Sequence, residues 1–593
     1  MNWNLTDIFK GREEFENAKK EFLKNLDIIE SYKTKLCDSS ENLYNCYQTI
    51  EKALEQFEKL YAYGMLTYHL DMANQEGIKL FKEVENLQSL YNTKTAFITP
   101  EITYADENKV KQYLEEPRLE PYKRDIQDIL DEKKHTLSKE SEELLANYSE
   151  IFSASENTFD TLTNAEFKFG TIINENGEEV ELTDSNYIIF LKSKSKKVRK
   201  QAFEKMYGKY SEYINTLTEL YLSNAKKYAI TSSLRKYESS IERAVKNDDS
   251  SVKVYNALIK TLNENMEANY KFMKLKKKLL KNKGLANDKM HMYDLYVNPF
   301  EEKNDEITFE QAKQEVLNAL NVLGSEYNEL LITAFNNNWI DSKPMPNKKG
   351  GAYSMGVYGI HPFVLMSFVN SKRDVSTIAH ELGHSIHSYY SNKNQNIINA
   401  NYTIMVAEVA STVNELLLSH YQIENEKDNK KKAELLYELL EMIRATLYRQ
   451  SMFAEFEKDI HEKIEKGEFL SSEDLNETYY RLNQKYFGTD IEIDSKIQYE
   501  WARIPHFYSD FYVYKYATGI SAAICIVKNI LEKGETYINS YIEMLKQGCS
   551  RKSIELLKMV DVDLESEQTY KRAVDFYEEK INKLENLMNL KKD

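Results

Sequence analysis

Two histidines and a glutamate that could bind and use a metal ion lie close together in the sequence, as His380-Glu381-Leu-Gly-His384. On an α-helix, residues four apart lie on the same face, so both imidazoles point the same way. Two neutral imidazoles in this position can hold one zinc ion at about 2.0–2.1 Å. The carboxylate of Glu381 can then take a proton from a zinc-bound water and pass it to a leaving amine. This spacing is typical of hydrolytic zinc peptidases.

The sequence around these residues predicts the helix that must carry them. Apolar residues recur at four-residue spacing beside the histidines, at Ile378, Leu382 and Ile386. Asp374 and Ser376 are both candidates for the N-cap. The polar stretch 388–400 is interpreted as a loop that follows the helix. The alternative is an amphipathic helix whose histidines are ordinary surface or core residues.

A third metal ligand has to come from another segment. His387 shares the face of the two histidines, but it lies about 10 Å along the helix axis from His380, at about 1.5 Å per residue. Both cannot bind one ion, so we expect His387 to orient a ligand or to lie at the surface.

The next predicted helix, residues 402–418, is apolar almost all round and should therefore be buried. A carboxylate in that setting is costly unless a positive charge pairs with it. Glu408, in the middle of this helix, is the candidate third ligand, with zinc as the compensating charge. Glu415, two turns later, could instead orient a ligand histidine. The alternative for both is a buried glutamate satisfied by an arginine or a tyrosine.

A short apolar run, residues 361–369, precedes the metal-binding helix and follows a glycine-rich segment, residues 350–359. It predicts either a buried strand or an edge strand beside the metal. An edge strand could pair with an extended peptide, and nearby glycines would let the substrate backbone approach closely.

Composition sets the broad class. The chain has 593 residues, 42% apolar and 29% charged, which is ordinary for a globular protein, and its net charge of −16 argues against a nucleic-acid partner. Eight prolines and abundant helix formers favour long helices. The four cysteines show neither metal-binding nor disulfide spacing, which fits a reducing compartment. With no signal-peptide pattern and no apolar run of about 20 residues, we expect a soluble cytoplasmic protein without membrane contact.

The pattern of elements suggests two regions. Residues 1–190 are predicted to form an N-terminal helical region with a β-hairpin near 167–182, because Asn176-Gly177 lies between alternating residues. Residues 191–593 are predicted to form the catalytic domain.

Four segments together resemble the oligoendopeptidase F branch of the thimet-oligopeptidase-like zinc peptidases. They are the His-Glu-Leu-Gly-His-Ser-Ile-His helix, Glu-Val-Ala-Ser-Thr from Glu408, Pro-Phe-Val-Leu-Met from Pro362, and residues 506–519. The resemblance covers most of residues 195–585. It implies Glu408 as the third ligand, an almost all-helical fold, and a deep channel between two helical halves that admits oligopeptides and excludes folded proteins.

Residues 501–519, which include the last of these segments, are dense in hydrogen-bond donors. The aromatic residues among them could simply pack in a core. Peptide hydrolysis, however, needs a donor for the developing oxyanion, which typically contributes about 3–4 kcal/mol. The resemblance implies a histidine and tyrosines of this segment in that role, here His506 and Tyr514, with Tyr508 and Tyr512 as further candidates.

We therefore expect a mainly α, two-lobed helical zinc-peptidase fold with a deep substrate channel and a small β-sheet beside the metal-binding helix. The predicted function is hydrolysis of internal bonds of oligopeptides with one zinc ion. One alternative is a zinc carboxypeptidase on a similar fold, with Arg503 as the group that grips a free carboxylate. The other is a non-catalytic, zinc-containing helical binding protein. The sequence does not predict the cleavage preference or the oligomeric state.

Overall fold

The computed structural model describes residues 3–300 and 306–588, and they are mostly helical, as the sequence predicts. The chain forms two compact units, each assembled from three separate stretches. The first unit comprises Met1–His135, Asn304–Glu424 and Ala523–Asp563. The second unit comprises Thr136–Lys303, Asn425–Ala522 and Leu564–Asp593. The functional division at residue 190 rests on a different criterion and stays a prediction.

The α-helices follow in chain order. The first stretch holds α1 (Arg12–Glu30), α2 (Ser40–Leu70), α3 (Gln75–Thr95), α4 (Ile98–Tyr104), α5 (Glu107–Tyr113) and α6 (Lys123–Glu132). The second holds α7 (Lys139–Asn147), α8 (Ser149–Phe152), α9 (Ala154–Asp160), α10 (Asp184–Leu191), α11 (Lys196–Glu212), α12 (Ile214–Leu234), α13 (Ser240–Asn247), α14 (Val252–Glu264) and α15 (Glu267–Asn282). The third holds α16 (Phe309–Leu320), α17 (Ser325–Asn336), α18 (Lys372–Asn394), α19 (Ile397–Ala400) and α20 (Ile404–Asn425). The remainder holds α21 (Asn429–Ile443), α22 (Gln450–Glu465), α23 (Ser472–Phe487), α24 (Tyr514–Lys533), α25 (Glu535–Leu545), α26 (Ser553–Lys558) and α27 (Glu567–Leu587). Within the described ranges, no helix has both the length and the apolar character that crossing a bilayer requires.

The strands are short and form small sheets. They are β1 (Thr171–Ile173), β2 (Glu179–Glu181), β3 (Met290–His291), β4 (Ile340–Asp341), β5 (Tyr353–Met355), β6 (Phe363–Leu365) and β7 (Ile491–Glu492). Strands β1 and β2 pair antiparallel within the range where the sequence predicts a hairpin. Gly177, between them, has φ +83°, a conformation that glycine adopts without strain. Strands β3 and β7 pair in parallel.

A three-stranded sheet in the order β4-β6-β5 lies beside α18, as expected. Ser354 of β5 and Ser385 of α18 share a hydrogen bond of 2.8 Å between their hydroxyls. Strand β6 is central and fully buried, so the edge-strand interpretation of residues 361–369 is wrong. Its apolar side chains on both faces suit a strand covered on both sides. The edge strand that follows the glycine-rich turn is β5.

Helix α18 begins earlier and ends later than its sequence pattern predicts. Ser371 is the N-cap, and its side chain accepts the N–H of Asp374 at 3.3 Å, while the Asp374 carboxylate accepts the N–H of Ser371 at 2.9 Å. Asp374 therefore completes a capping box from inside the helix, and the prediction that Asp374 or Ser376 is the cap is wrong. The loop predicted for 388–400 is also mostly wrong. Tyr390 and Ser391 are buried and continue the inward face of the helix.

Helices α18 and α20 cross closely at Gly383. A Cβ atom at this position would lie 2.7 Å from the Cα of Ser411 and 2.9 Å from the carbonyl oxygen of Ala410. One turn away, the Asn414 side-chain amide donates to the carbonyl of Ala379 at 3.1 Å. The glycine between the two histidines therefore sets how near α20 can come to the metal-binding face.

In the second unit, short 3₁₀ turns at Ser495–Arg503 and Pro505–Tyr508 precede α24. Two of their aromatic residues, Trp501 and Phe507, are buried. Their rings pack against Phe456 of α22, with centroids 6.2 Å and 5.2 Å away. Part of the segment 501–519 therefore packs in the core, which is the alternative that the sequence left open for its aromatic residues.

Replacing Gly383 with alanine tests the role of the helix crossing. We expect Gly383→Ala to lower the free energy of unfolding by about 1–3 kcal/mol and to weaken metal binding, because the added methyl group forces α20 away. Chemical denaturation and metal titration measure both effects. The control is Gly208→Ala in α11, which meets only the flexible end of Lys496 at 3.5 Å and should be neutral or stabilising. Equal free energies of unfolding and equal metal affinities of the two variants would contradict the proposed role of the close crossing.

Candidate metal centre

The side chains of His380 and His384 on α18 and Glu408 on α20 converge. One ligand atom from each residue lies within 4.8 Å of the other two. The two Nε2 atoms are 3.1 Å apart, and Glu408 Oε2 is 3.9 Å from Nε2 of His380. Two nitrogens bound at about 2.0–2.1 Å to a tetrahedral ion would be separated by about 3.3 Å. The donor set and its spacing therefore fit a metal ion.

His380 is oriented by a second carboxylate. Its Nδ1 lies 2.6 Å from Oε1 of Glu415, whose other oxygen accepts the Ser376 hydroxyl at 3.1 Å. A proton on Nδ1 leaves the lone pair of Nε2 directed at the metal position. Burial alone would lower the pKa of His380, but the hydrogen bond with Glu415 and the nearby carboxylates raise it above its ordinary value.

His384 and His387 differ in what surrounds them. Burial and the neighbouring His380 together lower the pKa of His384 to about 3, so the imidazole stays neutral and can bind metal. His387 is only 1% exposed, which excludes the surface position. Its ring stacks on Tyr402, with centroids 3.7 Å apart, and the Tyr402 hydroxyl contacts Ser388 at 2.6 Å. His387 thus packs the start of α20 against α18.

The two remaining carboxylates have different environments. The Glu408 side chain is 36% exposed, although residues 405–407, 409 and 410 around it are buried, so its predicted burial is only partly right. Burial still raises its pKa, against the effect of His380. Glu381 is 6% exposed and lines a cavity of about 710 Å³ together with His380 and Glu415. Burial raises the pKa of Glu381 to about 7, which suits a group that takes up and releases a proton near neutral pH.

His506 and the four tyrosines near it belong to the second unit. The His506 ring stacks on Tyr512, with centroids 5.8 Å apart, and its Nε2 lies 3.3 Å from the hydroxyl of Tyr516. Burial lowers the pKa of His506. Tyr516 was not singled out from the sequence. Its ring contacts that of Tyr512, which lies just before α24, with centroids 5.5 Å apart.

Two of the predicted tyrosines are engaged elsewhere. Tyr514 is fully buried, and its hydroxyl donates to Asp248 at 3.0 Å. Tyr508 is buried and stacks on Phe159, with centroids 4.5 Å apart. On α24, positions 514 and 516 are two residues apart and therefore point in nearly opposite directions. These contacts argue against Tyr514 and Tyr508 as oxyanion donors.

Arg503, the group that a carboxypeptidase would need, is already paired. Its Nε donates to Asp184 at 2.9 Å, and its guanidinium lies 5.0 Å from the ring centroid of Tyr187. A guanidinium already held by an acid and an aromatic face is a poor hydrogen-bond donor for a free substrate carboxylate.

Replacing Glu415 tests how His380 is oriented. We expect Glu415→Gln to weaken metal binding by about 10–100-fold, because an outer carboxylate fixes the ligand imidazole. Competition against a chelator measures the affinity without any activity assay. Ser376→Ala, which removes one hydrogen bond to the same carboxylate, should have a smaller effect. Unchanged affinity in Glu415→Gln would contradict this role.

Comparison with known families places the chain. The model of Peptidase family M3 matches residues 189–576, and the Oligopeptidase F model matches residues 101–169. Oligopeptidase PepF of Bacillus subtilis (strain 168) is 40% identical over 591 residues, which are 99% of this chain and 87% of that protein. An oligoendopeptidase F homolog of Borreliella burgdorferi is 36% identical over 595 residues, 99% of this chain and 98% of the relative.

Solved structures agree with these matches. A crystal structure from Chlamydophila abortus superposes with a TM-score of 0.92 at 32% identity, covering 99% of this chain and 98% of that one. The oligoendopeptidase-F of Enterococcus faecium superposes with a TM-score of 0.73 at 32% identity, covering 98% and 99%. The fold is therefore the mainly α fold that was predicted, and the chain belongs to Peptidase family M3, in its oligoendopeptidase F branch.

Proposed function

We propose that this protein is a zinc-dependent endopeptidase that hydrolyses internal peptide bonds of short oligopeptides. The observation that carries the proposal is the convergence of two histidines and a glutamate beside Glu381, in a member of a peptidase family. Relatives named oligopeptidase or oligoendopeptidase support the substrate class.

The donors fit one zinc ion with His380, His384 and Glu408 as ligands. Three protein ligands leave a fourth position open, which distinguishes catalytic zinc sites from structural ones. A zinc ion held there would polarise the substrate carbonyl and make water acidic near neutral pH. Glu381 accepts the proton of the attacking water and donates it to the leaving amine. Glu415 keeps His380 in the tautomer that binds through Nε2.

Substrate backbone recognition is assigned to β5. This strand is an edge of its sheet and is half-buried, and Gly351 and Ala352 just before it line the cavity next to His380 and Glu381. Pairing of an extended peptide with an edge strand reads backbone rather than side chains, which suits varied peptide sequences. The deep channel remains a prediction from the family resemblance.

The oxyanion donors are assigned to His506, Tyr512 and Tyr516. Their mutual contacts support this choice over Tyr514, whose hydroxyl is committed to Asp248, and over the packed ring of Tyr508. A preorganised donor at the developing oxyanion is typically the largest single contribution to such a reaction.

The remaining assignments are a cytoplasmic location and oligopeptides as partners. The net charge of −16 argues against nucleic acid. The paired state of Arg503 speaks against a carboxypeptidase. A buried acid with a pKa of about 7 beside the metal position would be superfluous in a purely binding protein.

Replacing Glu381 with glutamine tests the catalytic role. We expect Glu381→Gln to keep zinc but lose cleavage by about 10²–10⁴-fold, because the proton acceptor is gone. A fluorescence-quenched peptide and mass spectrometry of the fragments measure the loss and show whether wild-type cuts are internal. Chelator treatment and zinc addition control for the metal. Stepwise loss of C-terminal residues would favour the carboxypeptidase, and unchanged cleavage by the variant would contradict the mechanism.

Substitutions of two tyrosines on α24 distinguish a residue that donates to the oxyanion from one that only stabilises the fold. Tyr516→Phe should lower kcat by about 10–100-fold with little change in KM, because a donor to the transition state is lost. Tyr514→Phe should keep kcat and lower the free energy of unfolding by about 0.5–1.5 kcal/mol, because it removes the hydrogen bond to Asp248. Steady-state kinetics and denaturation decide between them. If Tyr514→Phe lowers kcat and Tyr516→Phe does not, Tyr514 is the oxyanion donor instead.

A further inference from the structure

A buried carboxyl group in the second unit has no role in the proposed reaction so far. Glu457, on α22, is 0% exposed, and its Oε1 accepts the backbone N–H of Phe511 at 2.9 Å. Its Oε2 has no hydrogen-bond partner among the described residues. Burial raises the pKa of Glu457 well above its ordinary value, although the Phe511 N–H opposes the rise. A carboxyl group kept there at such a cost needs an explanation.

The residue that Glu457 holds has an unusual backbone. Phe511 has φ +48°, in the left-handed region that side-chain-bearing residues rarely adopt. Its ring is fully buried, edge-on to Tyr255 with centroids 5.8 Å apart and beside His461 at 4.6 Å. Both the ring and the N–H of Phe511 therefore have contacts with α22, through His461 and Glu457.

This fixed residue lies between the groups assigned as oxyanion donors. His506 precedes it, in the turn Pro505–Tyr508, and Tyr512 and Tyr516 follow it. The reversal at Phe511 lets the ring of Tyr512 return to stack on His506 and lets Tyr516 reach Nε2 of His506. A change at Phe511 would thus separate the three side chains.

Glu455, two residues before Glu457 on α22, shows how a buried glutamate is ordinarily satisfied. Glu455 is satisfied on both oxygens, by Lys485 at 2.6 Å on one and by Tyr486 at 2.8 Å on the other. Among the described residues, Glu455 makes no hydrogen bond with Phe511 or with the three assigned donors. Glu455 stabilises the packing of α22 on α23, whereas Glu457 is directed at one backbone N–H of the donor segment.

We propose that Glu457 is a positioning residue for peptide hydrolysis, which holds Phe511 and thereby keeps His506, Tyr512 and Tyr516 together. This inference rests on the proposed function, which gives those three side chains their role. Glu457 touches none of the reacting atoms and acts only through the segment that it fixes. A hydrogen-bond acceptor at this position is what the arrangement requires, and glutamine supplies one of nearly the same shape.

The experiment compares Glu457→Ala, Glu457→Gln and the matched control Glu455→Ala in the zinc-loaded full chain. Hydrogen–deuterium exchange of peptides spanning residues 504–516 reports on the segment without any activity, and zinc content and Tm are measured on every variant. We expect Glu457→Ala to exchange at least about tenfold faster in this segment, because a protected N–H is released. We also expect its kcat to fall about 10–100-fold with KM within about twofold. Glu457→Gln should keep most of the wild-type protection from exchange and most of the wild-type kcat.

The control and the wild type separate the possible failures. Glu455→Ala should lower Tm and leave kcat and exchange of residues 504–516 unchanged. Unchanged exchange in Glu457→Ala, or an equal loss of kcat in the two alanine variants at matched Tm, would overturn the inference. Faster exchange with unchanged kcat would overturn the link to catalysis. If the zinc-loaded wild type cleaves no peptide, the proposed function fails instead, and the exchange data still decide whether Glu457 holds the segment.

Discussion

The proposed metal site depends on the close approach of helices α18 and α20. Two imidazole nitrogens on one helix face supply two ligands at a separation that the helix itself dictates, and the third must come from the neighbouring helix. Because position 383 carries no Cβ, the backbone around Ser411 can lie in direct contact with it. The carboxylate of Glu408 then comes within 3.9 Å of the nearer imidazole. A bulkier residue between the histidines would leave two ligands without the third.

The charges around His380 depend on the same approach. Three carboxylates, those of Glu381, Glu408 and Glu415, affect one imidazole from different sides. Burial raises the pKa of Glu381 and of Glu408, so this environment disfavours the charged forms of both acids. A divalent cation at the proposed site would favour those charged forms, because it offsets the negative charge where the acids are closest. In the proposed mechanism the three acids have separate roles: Glu408 is the ligand, Glu381 the proton carrier and Glu415 the group that orients His380.

The parts that the sequence predicted best are those with a local periodic signature. The i, i+4 spacing of His380 and His384 predicts a shared helix face, and an acid inside an apolar helix led to Glu408. Features that depend on non-local packing were predicted less well. Residues 361–369 could have been a central or an edge strand, because an apolar run does not reveal how many neighbours it has. The polar residues after His387 favoured a loop, although α18 continues to Asn394 and buries Tyr390. The cap was predicted at Asp374 or Ser376 instead of Ser371, because the sequence pattern does not show which member of a capping box stands outside the helix.

The tyrosine-rich segment illustrates the same limit. The tyrosines at 508, 512, 514 and 516 are chemically equivalent in the sequence, and only the backbone between Tyr508 and the start of α24 decides which of them lie next to His506. The left-handed backbone at Phe511, which sets that start relative to His506, has no compositional signal, since phenylalanine is not a residue that such a conformation favours.

The interleaved course of the chain has a consequence for synthesis on the ribosome. The chain passes from one compact unit to the other five times, and the stretch that completes the first unit does not begin until Ala523. The end of the metal-bearing helix is joined to that late stretch, because the Gln395 side chain donates to the carbonyl of Lys546 and the Cys549 N–H donates to the carbonyl of Asn399, both at 2.8 Å. Nascent chains that stop short of this point lack the partners that close the unit, so neither unit can finish folding while the other waits to be translated. We therefore expect both units to finish folding late in synthesis, and a misplaced early contact can persist while the missing stretches emerge.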